Sequence, residues 1–353
     1  MTRTRIHVMA AVIRRSGRIL IAQRPKAAHQ GGLWEFPGGK LDAGEDRYEG
    51  LKRELEEELG IEVTSARPLI DIDHDYPDKS VRLDVWLVDD FNGEAHGAEG
   101  QPVQWVLPGE LRLYDFPQAN VPIVTAAQLP ESYLITPDCE DSSTLVAGLD
   151  DARKRGLTMV QLRQTAMQPA KYEQLTTRLM QSFGDDFIWL LKAATPPASG
   201  DGWHVTASQL RELHRAGWRK GEPFPAGPPV PPRSVQAPNL GPRSAPEWER
   251  LPGREGAPAG NNLLAASCHD AEELRMAAEI GADFVTLSPV LPTTSHPEAK
   301  GMGWEEARNL IAQVNIPVYL LGGLSTDNLE QAFQAGAQGI AGISGLWKPK
   351  TDL

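Results

Sequence analysis

The sequence is poor in several features, and each deficit excludes a class of protein. It has only two cysteines, Cys139 and Cys268, which lie far apart, so neither a disulfide framework nor a cysteine metal site is expected. No apolar run approaches the ~20 residues of a membrane-spanning helix. Positive charge is in deficit, because 35 Lys and Arg face 47 Asp and Glu, for a net charge of −12. Nucleic acid and anionic membranes are therefore not expected as partners.

The length of 353 residues predicts two domains. Residues 1–17 contain a short apolar stretch, but it alternates with polar residues and is followed by Arg14 and Arg15. This pattern favours a strand over a signal peptide, and together with the scarcity of cysteine it leads us to expect a cytoplasmic protein.

Residues 1 to about 130 have the pattern of a sheet with helices on both sides. An amphipathic helix is predicted around residues 51–59, and a second helix over residues 121–129. Predicted strands cover residues 6–13, 18–23, 61–66, 67–74, 81–88 and 104–106. Together these elements predict an α/β/α sandwich for residues 1–130.

Residues 131–353 alternate between short apolar runs and amphipathic helices. Predicted strands cover residues 133–136, 159–163, 187–191, 203–205, 263–267, 284–288, 318–321 and 339–343. Repeated units of this length predict a parallel sheet, and about eight of them predict a (β/α)8 TIM barrel. Residues 221–260 interrupt the alternation and hold 11 of the 29 prolines. We expect this segment to be a disordered insertion; a proline-binding partner is the alternative.

The most informative stretch is the helix sequence RELEEELG at residues 53–60. At 3.6 residues per turn, Glu54, Glu57 and Glu58 share one face, and such a cluster of carboxylates is self-repulsive. A hard divalent cation removes the repulsion, because Mg²⁺ takes oxygen ligands from carboxylates and phosphates. A solvated acidic helix face is the alternative.

The surrounding spacing decides between these readings. Gly39, Glu45, the Arg53-Glu54-Leu55 triplet, the Glu57-Glu58 pair and Gly60-Ile61 fit the Nudix box at every position. The chain thus resembles the Nudix hydrolases, which are Mg-dependent enzymes that split nucleoside diphosphates linked to another group.

The resemblance implies an Mg²⁺ cofactor, with Mn²⁺ as an alternative, and a set of catalytic and metal-binding residues. The implied metal ligands are Gly38, through its carbonyl, Glu54, Glu57, Glu58 and Glu99. The implied catalytic residues are Glu54, Glu57, Glu58, Glu99 and Arg53, with Arg53 orienting a carboxylate. A merely solvated Glu99 is the alternative for that residue.

Residues 3–130 further resemble the MutT branch of this family, whose members hydrolyse 8-oxo-dGTP. The matching stretches include LWEFPGGK, YPDK, GAEGQ and FPQANVPIV. The resemblance implies nucleotide binding by Arg24, Phe36, Lys79 and Asn120, with Asn120 reading the purine edge. Asn120 as a helix cap and Phe36 as a core residue are the alternatives. Lys79 departs from the Arg of MutT, which puts substrate preference in doubt.

Residues 133–353 resemble thiamine phosphate synthase and its tautomerase relative, through stretches such as MVQLRQT and IPVYLLGGLSTDNL. The implied phosphate-binding residues are Gly322, Gly323, Ile343 and Ser344. The residues that hold Mg²⁺-diphosphate in the synthase are replaced, however. The replacements are Thr165, Lys192, Gln209 and His296. We therefore expect no ordinary synthase activity. His269 is a candidate acid–base group, with a structural role favoured.

The favoured function is hydrolysis of 8-oxo-dGTP to 8-oxo-dGMP and pyrophosphate, which would sanitise the nucleotide pool and serve DNA repair and replication fidelity. The barrel would bind a phosphorylated ligand or act as a partner or regulatory module. Three alternatives stay open. They are hydrolysis of another nucleotide or of a thiamine-like diphosphate, a bifunctional enzyme with real synthase or tautomerase activity, and a binding protein with both sites dead.

Overall fold

The computed structural model describes residues 5–27, 30–77, 79–224, 262–293 and 300–348. Within these ranges no helix is both long and apolar enough to cross a bilayer. Cys139 and Cys268 are free thiols. The chain forms a mixed sheet followed by a closed barrel, which confirms the predicted α/β class and architecture.

The first domain is built on a six-stranded sheet. Its strands are β1 (Arg5–Arg15), β2 (Arg18–Gln23), β3 (Trp34–Glu35), β4 (Glu62–Asp75), β5 (Ser80–Asn92) and β6 (Val103–Val106). The order is β3-β2-β1-β5-β4, and β6 pairs with β2. The β1–β5 pair is parallel and the other pairs are antiparallel. In this strand order β1 is the central strand.

Two helices cover the two faces of this sheet: α1 (Arg47–Leu59) and α2 (Val121–Gln128). Because strand side chains alternate between faces, β1 sends Met9, Ala11 and Ile13 to the α1 side and its intervening residues to the α2 side. Leu51, Leu55 and Leu59 of α1 are fully buried there. This packing holds α1, which carries the acidic stretch, against β1.

One predicted boundary in this domain is wrong. Residues 61–66 and 67–74 were expected as two strands, but they form the single long strand β4. Register shifts at Val63/Ser65, Ser65/Ala66 and Pro68/Ile70 bend the strand without ending it. Pro68 is tolerated because β4 is the outermost strand and the irregularity accommodates its missing N–H.

The second domain is an eight-stranded parallel barrel closed in the order β10-β11-β12-β13-β14-β7-β8-β9. Its strands are β7 (Ser132–Ile135), β8 (Met159–Leu162), β9 (Ile188–Leu191), β10 (Gly202–Val205), β11 (Leu263–Cys268), β12 (Phe284–Leu287), β13 (Val318–Leu321) and β14 (Gly339–Gly342). The outer helices are α3 (Ser142–Lys154), α4 (Pro169–Phe183), α5 (Ala207–Arg215), α6 (Ala271–Glu279), α7 (Gly303–Ile311) and α8 (Leu329–Gln334).

The barrel departs from strict strand–helix alternation in one connection, because residues 192–201 join β9 to β10 without a helix. The predicted proline-rich insertion, 221–260, lies outside the described residues from position 225 onward. Fully buried, bulky side chains such as Tyr133, Phe284 and Tyr319 fill the barrel interior near the amino-terminal ends of the strands, which we call its lower end.

A buried carboxylate anchors the first turn of α1 to the sheet. Asp84 on β5 is fully buried and accepts two hydrogen bonds from Arg47, at 2.5 and 2.6 Å. Trp86 Nε1 lies 2.8 Å away and His7 Nε2 3.1 Å away. Burial opposes the charged carboxylate, but these partners outweigh it and hold the pKa of Asp84 below its ordinary value.

Replacing Asp84 by Asn should therefore destabilise the protein by about 3 kcal/mol, because Arg47 would lose its buried counter-charge. Since the folded pKa is depressed, this stabilisation is present above the unfolded pKa of about 4 and is lost as the pH falls through the folded value. Urea denaturation of both proteins between pH 3 and pH 7 measures the difference. The matched control is Glu49→Gln, an exposed partner of Lys52 on the same helix, for which we expect less than about 1 kcal/mol. Equal effects of the two substitutions would contradict the anchoring role.

Candidate active site

A glycine turn, residues 37–39, forms one edge of the site and is hydrogen-bonded to β1. Met9 N donates to Gly39 O and Ala11 N to Pro37 O, both at 2.8 Å. Gly38 has φ of 142°, and a Cβ there would overlap the Met9 carbonyl. A Cβ on Gly39 would overlap the Glu54 carboxylate. Only glycine allows the turn to pass between the strand and the acidic helix.

An arginine-centred network holds the acidic helix against this turn. Arg53 donates to both Glu45 oxygens at 2.9 Å, to Glu54 at 2.8 Å and to the Lys40 carbonyl at 3.1 Å. The Arg53 hydrogen bonds, with the Asp42 N–H, lower the pKa of Glu45 to about 2. Arg53 thus makes the carboxylate pairing predicted for it, and its charge fixes the Glu54 side chain.

Glu58 lies deepest in the acidic cluster. One of its oxygens accepts from Gly38 N at 2.9 Å. Burial, opposed by this hydrogen bond and reinforced by the charges of Glu35, Glu99 and Glu54, raises the pKa of Glu58 to about 7. The shift therefore reflects burial of the carboxyl group first and neighbouring negative charge second.

The loop that carries Glu99 is docked onto the end of α1. Ala98 N and Gln101 Nε2 both donate to the Glu58 carbonyl at 2.9 Å. Gln101 also accepts from Glu99 N at 3.0 Å. This docking brings an exposed glutamate, 41 positions away in sequence, close enough to influence Glu58.

The donor set fits a divalent cation in its chemistry. Carboxylate oxygens and a backbone carbonyl are hard ligands, and a cation would neutralise the charges of Glu35, Glu99 and Glu54, which add to the effect of burial on the pKa of Glu58. Among the described residues, no three acidic, His or Cys side chains already converge as a metal site. Glu54 is turned to Arg53, and Glu57 is 59% exposed at 3.5 Å from Arg53. The predicted ligand set therefore stays a prediction.

A cleft of about 120 Å³ lies beside the acidic cluster. All four predicted nucleotide-binding residues, and Gly38, line it: Arg24, Phe36, Gly38, Lys79 and Asn120. These side chains come from four separate segments of the chain, so the fold brings together positions that the sequence keeps apart. Their roles in binding remain predictions.

The structure separates the alternatives weighed for two of these residues. Asn120 precedes α2, yet its side chain makes no capping hydrogen bond. Phe36 is 3% exposed and stacks on Phe116 with ring centroids 5.3 Å apart. Phe36 therefore serves the core while one part of it borders the cleft, whereas Asn120 presents its amide beside the cleft without serving as a helix cap.

Two further cleft residues were not identified from the sequence. Glu35 is ion-paired with Arg24, and burial raises its pKa. Tyr76, directly after β4, borders the cleft as well. Glu35 lies in the LWEFPGGK stretch, so its position next to Phe36 in the sequence could have indicated that it lines the cleft. Tyr76 lies in the YPDK stretch, of which only Lys79 was predicted to bind the nucleotide.

In the barrel, the predicted phosphate-binding residues share one rim. Gly322 and Gly323 follow β13, and Ile343 and Ser344 follow its neighbour β14. Both glycines have positive φ, 107° and 67°. The carboxyl ends of adjacent parallel strands thus bring the four residues together, as the barrel topology predicts.

The positions that depart from the synthase pattern have other partners. Gln209 caps α5 by accepting from Thr206 N at 3.0 Å, and it donates to Ala193 O at 2.7 Å. Thr165 donates to Asp138. Burial, then Arg163, lowers the pKa of Lys192, with Asp138 opposing. These residues stabilise the rim without supplying the carboxylates that would hold a metal diphosphate.

His269, the candidate acid–base group of the barrel, is bonded to a buried carboxylate. His269 Nδ1 lies 2.8 Å from Glu273, a buried carboxylate that also accepts from His269 N and pairs with Arg211. This arrangement closes the start of α6 and agrees with a structural role. His296 lies outside the described residues.

Comparison with known proteins bears on each domain separately. A NUDIX domain family model matches residues 8–126. The CTP pyrophosphohydrolase of Escherichia coli (strain K12) is 40% identical over 121 residues, which cover 34% of this chain and 90% of that protein. The 8-oxo-dGTP diphosphatase of Proteus vulgaris is 42% identical over 101 residues, which cover 28% of this chain and 90% of that protein.

The barrel has relatives of a different kind. A thiamine monophosphate synthase family model matches residues 256–346. The putative thiamine-phosphate synthase 2 of Aquifex aeolicus (strain VF5) is 44% identical over 84 residues, which cover 24% of this chain and 45% of that protein. The chain thus belongs to the Nudix hydrolase family through its N-terminal domain, to which it joins a barrel similar to thiamine-phosphate synthases.

Proposed function

We propose that this chain hydrolyses 8-oxo-dGTP to 8-oxo-dGMP and pyrophosphate with a divalent cation, Mg²⁺ or Mn²⁺. The position of Asn120 carries the nucleotide part of this proposal, and the similarity to 8-oxo-dGTP diphosphatases favours the oxidised purine. Its amide lines the cleft next to the acidic cluster and is not used as a helix cap. An amide both donates and accepts, which suits a purine edge that carries both kinds of group.

The phosphates would lie between this cleft and α1. A divalent cation, when bound to oxygens of Gly38, Glu54, Glu57, Glu58 and Glu99, supplies the positive charge that the phosphates require. Arg53 keeps the Glu54 carboxylate in place through its bond at 2.8 Å. A carboxylate of this cluster, directly or through a second water, would take the proton from the attacking water.

The nucleotide would enter between charged and aromatic walls. Arg24 and Lys79 add positive charge to a cleft whose other lining residues are mainly apolar, with Glu35 as an acidic member. Glu35 pairs with Arg24 and orients its guanidinium. Phe36, stacked on Phe116, supplies a rigid apolar side beside the amide of Asn120.

A pyrimidine triphosphate is the second candidate substrate. The relative named CTP pyrophosphohydrolase is 40% identical over nearly the whole Nudix domain, a similarity comparable to that of the 8-oxo-dGTP diphosphatases. An amide can pair with cytosine as well as with guanine edges. Asn120 alone therefore does not distinguish the two bases.

For the barrel, we propose binding of a phosphorylated ligand at Gly322, Gly323, Ile343 and Ser344 without ordinary synthase activity. Both glycines have positive φ, the kind of backbone conformation that lets successive N–H groups form an anion-binding nest. Lys192, which stands where the synthase pattern has an amide–carboxylate pair, replaces negative charge with positive charge. A metal diphosphate could not be held there in the same manner.

The substrate test compares pyrophosphate release from 8-oxo-dGTP, dGTP, CTP and thiamine diphosphate by the full chain. We expect 8-oxo-dGTP to be preferred, and we expect Asn120→Ala to reduce its preference over dGTP by about tenfold because a base-edge pair is lost. The control is Gln118→Ala, an exposed neighbour. Equal rates for oxidised and normal dGTP would overturn the sanitising role, and a preference for CTP would establish the second candidate.

The metal assignment is tested by Glu54→Gln in the full chain. We expect turnover to fall at least about a hundredfold, because the amide keeps the shape but not the charge. Glu56→Gln, an identical change on the exposed side of the same helix, should leave turnover within about twofold. Circular dichroism checks that both variants fold. Substantial activity in Glu54→Gln would refute the assignment.

The barrel is tested by expressing the full chain in a strain that requires thiamine because it lacks the synthase. We expect no growth without added thiamine, since the carboxylates for a metal diphosphate are missing. A functional synthase expressed from the same vector is the control. Growth supported by this chain would show that the barrel is a working synthase.

A further inference from the structure

Helix α2 connects the nucleotide cleft to the barrel. Asn120 lines the cleft and immediately precedes the first residue of the helix, Val121. Eight residues later the helix ends at Gln128, and Leu129 enters the apolar cluster that closes the lower end of the barrel. A helix of this length spans about 12 Å, so the two ends form one short rigid element.

A side chain from the barrel binds the far end of this helix. Gln338, between α8 and β14, is 2% exposed. Its Nε2 donates to the carbonyls of Ala126 and Leu129, each at 3.1 Å. Carbonyls at a helix end lack partners within the helix, and Gln338 supplies one from the other domain.

Further bonds hold the residues on either side of this junction. Arg14 on β1 donates to Ala127 O at 2.8 Å, and Gln128 donates to Pro108 O at 2.8 Å. From the barrel, Tyr319 donates to Pro130 O at 2.5 Å. The helix end is thus held from the sheet on one side and from the barrel on the other.

The barrel contacts a second element that ends in the cleft. The Asn315 side chain accepts from Asp73 N at 3.0 Å and donates to Asp73 O at 2.7 Å. Asp73 lies on β4, and Tyr76 after that strand borders the cleft. Also on β4, Arg67 stacks over the Phe333 ring at 3.7 Å from its centroid.

We infer that the lower end of the barrel is a structural part of the nucleotide cleft, and that Gln338 is a positioning residue for Asn120. This inference rests on the proposed function only in that Asn120 reads the base. A barrel attached through a flexible linker would need neither the buried bonds of Gln338 nor the exposed pair of Asn315 with Asp73. Removing the Gln338 N–H leaves the Leu129 carbonyl unpaired, so the helix end shifts, and Asn120 shifts with it.

The test uses the full chain with Gln338→Met, which keeps the length of the side chain and removes the donor. The matched control is Thr176→Val on α4, which removes another buried barrel hydrogen bond, to Tyr172 O at 2.9 Å. Asn315→Ala is a second interface variant that leaves the buried helix junction intact. Hydrogen–deuterium exchange of residues 117–129 and the ratio of kcat/KM for the preferred over the non-preferred triphosphate are measured for each.

In Gln338→Met we expect faster exchange in residues 117–129 and a base preference reduced by about two- to tenfold. Asn315→Ala should act in the same direction, and Thr176→Val should change neither measurement even where it lowers the melting temperature. Unchanged exchange and preference in both interface variants would overturn the inference. If the wild-type chain hydrolyses no nucleotide, the proposed function fails, and the exchange measurement still decides whether Gln338 positions the helix.

Discussion

The structure depends on negative charges held close together with only partial compensation. Glu35, Glu54, Glu58 and Glu99 gather around a glycine turn, and Arg53 and Arg24 pair with only two of them, Glu54 and Glu35. Such a cluster is costly to bury, and burial together with the neighbouring charges raises the pKa of Glu58. The three-layer packing of α1, its anchor at Asp84 and the strand-bound turn keep the carboxylates together despite it. A divalent cation would complete this arrangement.

Much of this could be predicted because the signals are local. Helical periodicity placed three glutamates on one face, and alternating apolar runs indicated both the sandwich and the barrel. Other features depend on contacts distant in sequence and could not be read in that way. The pairing of Glu35 with Arg24 depends on the turn that brings β3 beside β2. The continuity of β4 through Pro68 depends on its place at the sheet edge.

The choice between cap and cleft for Asn120 shows the same limit. The sequence before Val-Pro suits a helix cap, and only the orientation of the side chain in the fold decides against it. The pairing of Gln338 with the end of α2 is more remote still, since it joins residues 212 and 209 positions apart. No periodicity or motif reports a bond of that kind.

The two domains therefore differ in chemistry but share a junction. The Nudix domain gathers glutamates around its glycine turn, whereas the barrel rim has Lys192 with a lowered pKa and has Thr165 and Gln209 engaged in hydrogen bonds. From the buried bonds of Gln338 and the exposed pair of Asn315 with Asp73 we infer that the barrel supports the cleft. Such a support would give the barrel fold a role in the chain apart from any catalysis of its own.

Calorimetric titration of the full chain with Mg²⁺ at pH 7, in two buffers of different ionisation enthalpy, tests the central claim most directly. If the glutamate cluster binds the cation, binding should release about half a proton per chain. The reason is that Glu58, whose pKa is about 7, is about half protonated at pH 7 and would release that proton to the buffer when the cation binds. The release should disappear in Glu58→Gln. Absence of Mg²⁺ binding, or binding with no proton release in either protein, would contradict the claim that this cluster is the metal site.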